Sequence, residues 1–255
     1  MRWRDGDAWL GGGTWLFSEP QPHLHRLIDL SGMGWTPLIV AEAGLEIAAT
    51  CTITQLAEAE FPEAWIAAPL IGQCCRALLA SFKVWNTATV GGNICLALPA
   101  GAMTALAAAL DGTATVWMTN GRDRCLSIVD LVTGAGTNAL RPDEVLRSIH
   151  IPAHALMRRV AFRRISLTPQ GRSAALLIGT VTADAGFTLT VTASTPRPVQ
   201  LRFDAVPDAC DLAHAIAQAV PPAGWFDDMH GRCDWRRHVT LSLADEIRGE
   251  LVGPS

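Results

Sequence analysis

Short apolar runs that alternate with polar residues dominate the first third of the chain. Alternation of this kind is typical of β-strands, and it is found at residues 7–10, 25–30, 35–40 and 45–49. Thr52-Ile53-Thr54-Gln55 has the pattern of a capping box and predicts a helix that runs to about Glu60. Apolar residues at helical spacing predict a second helix over 67–81.

The middle of the chain mixes the two kinds of pattern. An alanine-rich stretch at 102–110 predicts a helix, and residues 113–118 alternate as a strand. Residues 126–131 fit either a helix or a strand. The stretch 144–151 predicts a strand that Pro152 closes.

The last hundred residues change character. Two β-branched runs at 174–183 and 186–193 flank a short Asp-Ala-Gly turn and predict an antiparallel hairpin. A further strand is expected at 199–203, and helices at 211–220 and 239–251. A sheet backed by helices predicts an α+β domain, separated from the preceding part just after Pro152.

Composition excludes several classes of protein. The chain has 255 residues, of which 49% are hydrophobic and 17% charged, with a net charge of −4 and a pI near 5.9. No basic stripe is present, so we expect no nucleic-acid partner. The most apolar stretch, 97–116, is broken by proline, glycine and aspartate and is a poor membrane span. We therefore expect a cytoplasmic protein with no membrane contact.

Cysteine and histidine spacing gives no sign of a metal site. The seven cysteines are odd in number and lack paired spacing, which argues against a disulfide framework. The adjacent pair Cys74 and Cys75 has no second pair to complete a zinc or iron–sulfur site. His23 and His25 share one strand face, but no third ligand lies near them in the sequence. We expect no metal in this chain.

Two segments rich in glycine carry the candidate chemistry. Leu10–Thr14 is the first segment and Ala88–Asn93 is the second. Glycine lets backbone N–H groups approach an anion closely, and neighbouring hydroxyls add donors. Neither segment has the Walker pattern or the Rossmann spacing. The first segment alone fits a hairpin turn equally well, but the pair predicts a dinucleotide whose diphosphate is held by backbone donors.

Six segments follow, in order, the motifs of one known family. They are Leu10–Thr14 (L-A-G-G-T in the family), 45–52 (I-G-A-x-T-T), 88–93 (A-T-V-G-G-N), 140–152 (L-x-P-x-E-x-L-x-x-I-x-I-P), 161–164 (an aromatic–basic strand) and 235–236 (Y-R before the last helix). On these residues the chain resembles the FAD-binding, medium subunit of molybdenum hydroxylases of the xanthine dehydrogenase and carbon monoxide dehydrogenase type. The resemblance covers nearly the whole chain.

The resemblance implies an α+β fold with two domains. Residues 1–154 would form an FAD-binding domain of the p-cresol-methylhydroxylase type, with two subdomains split near residue 58. Residues 155–255 would form a C-terminal flavoprotein domain, a three-stranded antiparallel sheet with helices.

The resemblance also implies the cofactor contacts. FAD would be the cofactor of this chain, and none of its residues would be catalytic toward an organic substrate. Arg163 is expected at the flavin phosphate or the N1 edge, or else on the strand surface, and Trp15 and Trp85 either stack on the cofactor or belong to the core. The implied contacts are Leu10, Gly11, Gly12, Gly13, Thr14, Trp15, Ala88, Thr89, Gly91, Gly92, Asn93, Cys95, Val145, Leu146 and Arg163.

The implied function is electron transfer within an oxidoreductase complex. A large molybdopterin subunit would oxidise the substrate, a small subunit with [2Fe-2S] clusters would relay electrons, and FAD here would pass them to NAD+, oxygen or another acceptor. The chain departs from the family at Ala102, where relatives carry a carboxylate, and it reaches Gly11 without the usual preceding strand and helix. These departures motivate an alternative, a flavin-free structural or assembly subunit. A stand-alone flavin oxidase is a third reading, but it needs a substrate base that the sequence does not offer.

Overall fold

The computed structural model describes residues 3–118 and 121–252. Its strands are β1 (Asp7–Leu10), β2 (Arg26–Asp29), β3 (Leu38–Ala41), β4 (Gly44–Ala48), β5 (Thr113–Met118), β6 (Asp123–Ser127), β7 (Val132–Gly134), β8 (Thr137–Asn138), β9 (Glu144–Pro152), β10 (Arg159–Ile165), β11 (Ala175–Val181), β12 (Phe187–Thr192) and β13 (Val199–Phe203). Its helices are α1 (Ile53–Ala57), α2 (Ala68–Ala77), α3 (Phe82–Trp85), α4 (Val90–Leu96), α5 (Ala102–Ala109), α6 (Ile128–Leu131), α7 (Ala153–Leu156), α8 (Ala209–Ala219) and α9 (Cys233–Val252).

Two sheets and a small ribbon make up the first 152 residues of the fold. Strands β1 and β2 pair in parallel, and β7 and β8 form a short antiparallel ribbon. A five-stranded antiparallel sheet follows the order β3-β4-β9-β5-β6. The predicted subdomain split near residue 58 does not follow these sheets, because β3 and β4 precede it and β4 pairs with β9. The change of sheet lies between β2 and β3.

The predicted starts of α1 and α2 are confirmed within one residue, whereas both helices end earlier than predicted. Thr52 caps α1 by accepting from the Gln55 N–H at 3.2 Å, and Gln55 Oε1 accepts from the Thr52 N–H at 2.9 Å. This capping box explains why the helix begins where the sequence predicts. Helix α2 ends at Ala77, earlier than predicted, and Trp85 Nε1 donates to the Leu78 carbonyl just beyond it at 3.1 Å. The ambiguous stretch 126–131 contains both the end of β6 and all of α6.

The C-terminal sheet has four strands instead of the predicted three. The order is β10-β11-β12-β13, with β10 paired to β11 from Arg159–Val181 to Ile165–Ala175. The hairpin of β11 and β12 is confirmed. The fourth strand is β10, which contains the aromatic–basic strand 161–164 that the family resemblance implies.

Strand β11 joins the two hydrophobic cores of the molecule. Its residues are all buried, and successive side chains point to opposite faces of the sheet. Leu176 and Ile178 belong to the core around α5 and the five-stranded sheet. Ala175 and Leu177 belong to the core that α8 and α9 cover. The C-terminal sheet therefore packs against α5 on one face and against α9 on the other.

Helix α9 is anchored by a buried arginine. The helix begins at Cys233, so Trp235 and Arg236 lie inside it. The prediction that places them before the last helix is wrong. Arg236 is 1% exposed, donates to the Ala174 carbonyl at 2.9 Å and pairs with Asp228. Burial lowers the pKa of Arg236, an effect that Asp228 opposes. This pair fixes the loop between α8 and α9 against the sheet.

Within residues 3–118 and 121–252, no helix combines the length and the apolar character needed to cross a bilayer.

Candidate functional site

A cavity of about 640 Å³ lies where the two glycine segments meet loops of the C-terminal region. This volume is in the usual range for a site that encloses a small molecule. The lining residues are Trp9, Leu10, Gly11, Gly12, Gly13, Thr14, Trp15, Leu16, Ala77, Leu78, Leu79, Val84, Ala88, Thr89, Gly92, Asn93, Cys95, Leu96, Leu98, Ala100, Gly101, Gln170, Arg172 and His230.

The first glycine segment leaves its backbone donors unpaired. The segment follows the end of β1, and Gly13 has the left-handed φ of +70° that favours glycine. None of the N–H groups of residues 11–14 donates to another residue that the structure describes. Residues 11–13 are partly buried and Thr14 is exposed, so these N–H groups are not enclosed by the protein. These four groups can therefore donate to an anionic ligand.

The two segments touch each other so closely that side chains cannot fit between them. A Cβ on Gly11 would lie 2.9 Å from Thr89 Oγ1, and one on Gly12 would lie 1.8 Å from the Thr87 carbonyl oxygen. Glycine at these positions is therefore needed for packing. It also keeps the backbone open to the cavity.

Most backbone donors of the second glycine segment are paired within the protein, whereas the Thr89 N–H has no acceptor among the described residues. The Gly91 N–H donates to the Ala49 carbonyl at 3.0 Å, and the Gly92 N–H donates to Thr89 Oγ1 at 3.0 Å. The Asn93 N–H donates to the Thr89 carbonyl at 3.0 Å. The sequence predicts that both segments contact the ligand through backbone donors, and this stays a prediction. Thr89 caps α4, so the Gly92 N–H is engaged in the protein, whereas those of residues 11–14 have no acceptor among the described residues.

Neighbouring residues of the second segment have different tasks. Gly91 packs closely against Ala49, because a Cβ at position 91 would lie 2.4 Å from Ala49 Cβ. Gly91 does not line the cavity. Gly92 does line the cavity, and its added Cβ would meet only Thr89 Oγ1 within 4 Å. Asn93 Oδ1 accepts from the Met103 N–H at 3.0 Å and so fixes the start of α5.

Ala102, where relatives carry a carboxylate, lies inside the core. It is the first residue of α5, its exposed fraction is 0%, and it does not line the cavity. The neighbouring Gly101 does line it. The side chain at position 102 packs inward, so this part of the wall offers backbone and not a charged acceptor.

Besides Gly91, three further residues expected at the cofactor do not line the cavity. Arg163 faces α9, where it pairs with Glu246 at 2.9 Å and Glu250 at 2.7 Å. Its neighbours Phe162 and Arg164 occupy the other face of β10, because strand side chains alternate. Val145 and Leu146 are buried in β9, with 8% and 2% of their surface exposed, and neither lines the cavity.

Trp15 lines the cavity, and Trp85 does not. Trp85 is instead engaged at the Leu78 carbonyl, which makes it a structural residue. Cys95 lines the cavity as the sequence predicted, and burial raises the pKa of its thiol to about 12. The thiol therefore stays neutral near neutral pH.

Several lining residues were not predicted from the sequence. Trp9 lies in the strand before the first glycine segment, and its buried indole N–H has no hydrogen-bond partner among the described residues. Gln170, Arg172 and His230 come from loops of the C-terminal region. Trp9 directly precedes the first glycine segment in the sequence, so its place in the cavity wall could have been predicted. The other three depend on long-range packing that local patterns do not show.

Residues 5–154 match the family model described as the FAD binding domain in molybdopterin dehydrogenase. The chain belongs to this family. The predicted resemblance is thereby confirmed, and with it the predicted class, an oxidoreductase flavoprotein of the molybdenum hydroxylase type that binds FAD. No curated protein sequence matches the chain.

Solved structures show the same fold over nearly the whole chain. Quinoline 2-oxidoreductase from Pseudomonas putida 86 is 19% identical, with a TM-score of 0.77, and the match covers 96% of this chain and 89% of that one. Reconstituted CO dehydrogenase from Oligotropha carboxidovorans is 20% identical, with a TM-score of 0.79 and coverage of 96% and 90%. Carbon monoxide dehydrogenase from Hydrogenophaga pseudoflava is 19% identical, with a TM-score of 0.76 and coverage of 95% and 88%.

The residues around the cavity fit FAD. The unpaired N–H groups of residues 11–14 suit a diphosphate, and the unpaired indole N–H of Trp9 is a further donor. Leu78, Leu79 and Leu98 add apolar wall that suits flat aromatic rings.

Proposed function

We propose that the chain is the FAD-carrying electron-transfer subunit of a molybdopterin-dependent hydroxylase or dehydrogenase complex. It would take electrons from a [2Fe-2S] partner subunit and pass them to NAD+, oxygen or another acceptor. The observation that carries this proposal is the row of unpaired backbone N–H groups at residues 11–14, which line a cavity of about 640 Å³.

The chain's own residues would bind and orient the cofactor without acid–base chemistry. Residues 11–14 would hold the diphosphate through backbone donors, while Gly92 and Gly101 would let the ligand approach the opposite wall. Trp15 is 42% exposed at the cavity and would cover an aromatic ring of the ligand. Bound FAD would supply the exchange between one-electron and two-electron transfer.

We also propose the domain division 1–154 and 155–255, with the cofactor in the first domain. The two hydrophobic cores support it, since one is built mainly from residues before 157 and the other from residues after 160. The loops that contribute Gln170, Arg172 and His230 would then cover the cofactor from the second domain.

The direct test is the visible spectrum of the purified chain. We expect flavin absorption bands, with FAD released on denaturation at about one per chain. A colourless protein that does not take up added FAD would contradict the proposal and favour the flavin-free structural subunit.

The partner subunits need a separate test. Capture of the tagged chain from its native host should recover a larger chain that contains molybdenum and a smaller chain that contains iron. Recovery of the chain alone, with activity on an organic substrate, would contradict the proposed place in a complex.

A further inference from the structure

Arg172 brings a positive charge to the cavity from outside both glycine segments. It lies on the loop between β10 and β11 and lines the cavity together with Gln170. Its guanidinium carbon lies 5.6 Å from the ring centroid of Trp15. Trp15 directly follows Thr14, and the guanidinium and the first segment line the same cavity.

No other lining residue that the structure describes offers the same charge. Among these residues Arg172 is the only lysine or arginine, and none is aspartate or glutamate. Within residues 3–118 and 121–252, no carboxylate forms an ion pair with Arg172. Arg163, by contrast, is held by two glutamates of α9. The charge of Arg172 therefore stays available to a ligand.

The loop that carries Arg172 is fixed by the protein itself. Arg164 reaches back from β10 and donates to Ser173 Oγ at 2.8 Å and to the Gly171 carbonyl oxygen. Ser166 Oγ donates to the Thr168 carbonyl at 2.7 Å. These bonds lie on both sides of Arg172 and hold its backbone in place before any ligand binds, which lowers the cost of ordering it on binding.

We propose that Arg172 is the residue that pairs with the diphosphate of the cofactor and makes the site select dinucleotides and nucleoside diphosphates over their neutral halves. The proposal rests on the proposed FAD site. A diphosphate is negatively charged at neutral pH, and the backbone donors of residues 11–14 carry no net charge. A guanidinium adds charge-assisted hydrogen bonds with the fork geometry that phosphate oxygens accept.

The test compares charged and neutral ligands on the cofactor-free chain. Titration with FAD and ADP, and with riboflavin and adenosine, would be run on the wild type and on Arg172→Gln. We expect the variant to lose about fivefold to thirtyfold in affinity for FAD and ADP. The ion pair between the Arg172 guanidinium and the diphosphate should be stronger than an exposed ion pair and weaker than a fully buried one. Affinity for riboflavin and adenosine should not change.

Two controls locate the effect. Arg163→Gln removes an arginine of β10 that forms ion pairs with glutamates of α9 and does not line the cavity. This variant should leave FAD affinity unchanged. Arg172→Lys keeps the charge but not the fork, and it should restore part of the lost affinity. Raising the salt concentration should weaken FAD binding to the wild type more than to Arg172→Gln, since salt screens the charge.

Each alternative result overturns the proposal in a different way. Unchanged FAD and ADP affinity in Arg172→Gln would show that the guanidinium does not touch the diphosphate. An equal loss for riboflavin and adenosine would place Arg172 at a ring or show a damaged fold. A wild type that binds neither FAD nor ADP would contradict the proposed function itself.

Discussion

The two glycine segments resemble each other in sequence but serve the site in different ways. Both line the cavity, and they meet at Gly11 and Thr89. The N–H groups of residues 11–14 have no acceptor among the described residues, whereas those of Gly91, Gly92 and Asn93 donate to Ala49 and Thr89. A glycine-rich motif can therefore supply donors or supply close packing. The destination of each N–H group distinguishes the two roles.

The largest expected effect concerns Ala102, in the helix that follows the second segment. If this part of the wall serves packing, Ala102→Asp buries a carboxylate at a position with 0% exposure. We expect a loss of more than about 3 kcal/mol in the free energy of unfolding, because no partner offsets the desolvation. Chemical denaturation measures the loss, and Ala102→Ser is the milder control. Tighter FAD binding with unchanged stability would instead make position 102 a cofactor contact.

The next effect separates packing from binding at Gly91. In Gly91→Ala the new Cβ would lie 2.4 Å from Ala49 Cβ and 2.7 Å from the Ala49 carbonyl oxygen. We expect a loss of about 1–3 kcal/mol in the free energy of unfolding from overpacking. Gly249→Ala is the matched control, since no atom of residues 3–118 and 121–252 lies within 4 Å of its added Cβ. A stable Gly91→Ala protein would remove the packing role.

A substitution at Gly92 should lower FAD affinity more than it lowers stability. Its added side chain would enter the cavity, because only Thr89 Oγ1 lies within 4 Å of the Cβ position, at 2.9 Å. We expect Gly92→Val to lower FAD affinity by about tenfold or more, or about 1.4 kcal/mol. The fold should be largely retained, as thermal melting would show. Unchanged flavin occupancy would mean that the ligand does not reach this wall.

The smallest expected effect is the loss of the helix cap at Thr89. Its Oγ1 accepts from the Gly92 N–H at the start of α4. Thr89→Ala should lower the free energy of unfolding by about 1 kcal/mol, the usual contribution of such a cap. Denaturant titration measures this change, and Thr89→Ser should restore the stability. A loss that serine does not restore would assign the effect to the methyl group.

Local patterns predicted much of this fold. The capping box at Thr52, the hairpin of β11 and β12 and the glycine segment after β1 all depend on neighbouring residues, and the structure contains them. The pairing of β4 with β9 joins residues about a hundred positions apart, and no local pattern shows it.

The site was predicted less completely, because the phase of a strand decides which side chain faces a cavity. A shift of one residue along β10 separates Arg163, which faces α9, from Arg164, which holds the loop of Arg172. The sequence shows that Arg163, Arg164 and Arg172 lie in this region but not where their side chains point. Likewise, the sequence motif predicts that the Gly92 N–H is available to a ligand, but in the structure this group donates to the capping hydroxyl of Thr89.

Amide hydrogen exchange with and without FAD tests the central claim most directly. The N–H groups of residues 11–14 have no acceptor in the part of the chain that the structure describes, whereas those of Gly91, Gly92 and Asn93 do. We expect added FAD to slow exchange strongly at residues 11–14, because the diphosphate becomes their acceptor, and to change exchange little at residues 91–93. Strong FAD-dependent protection at residues 91–93 with none at residues 11–14 would contradict the account.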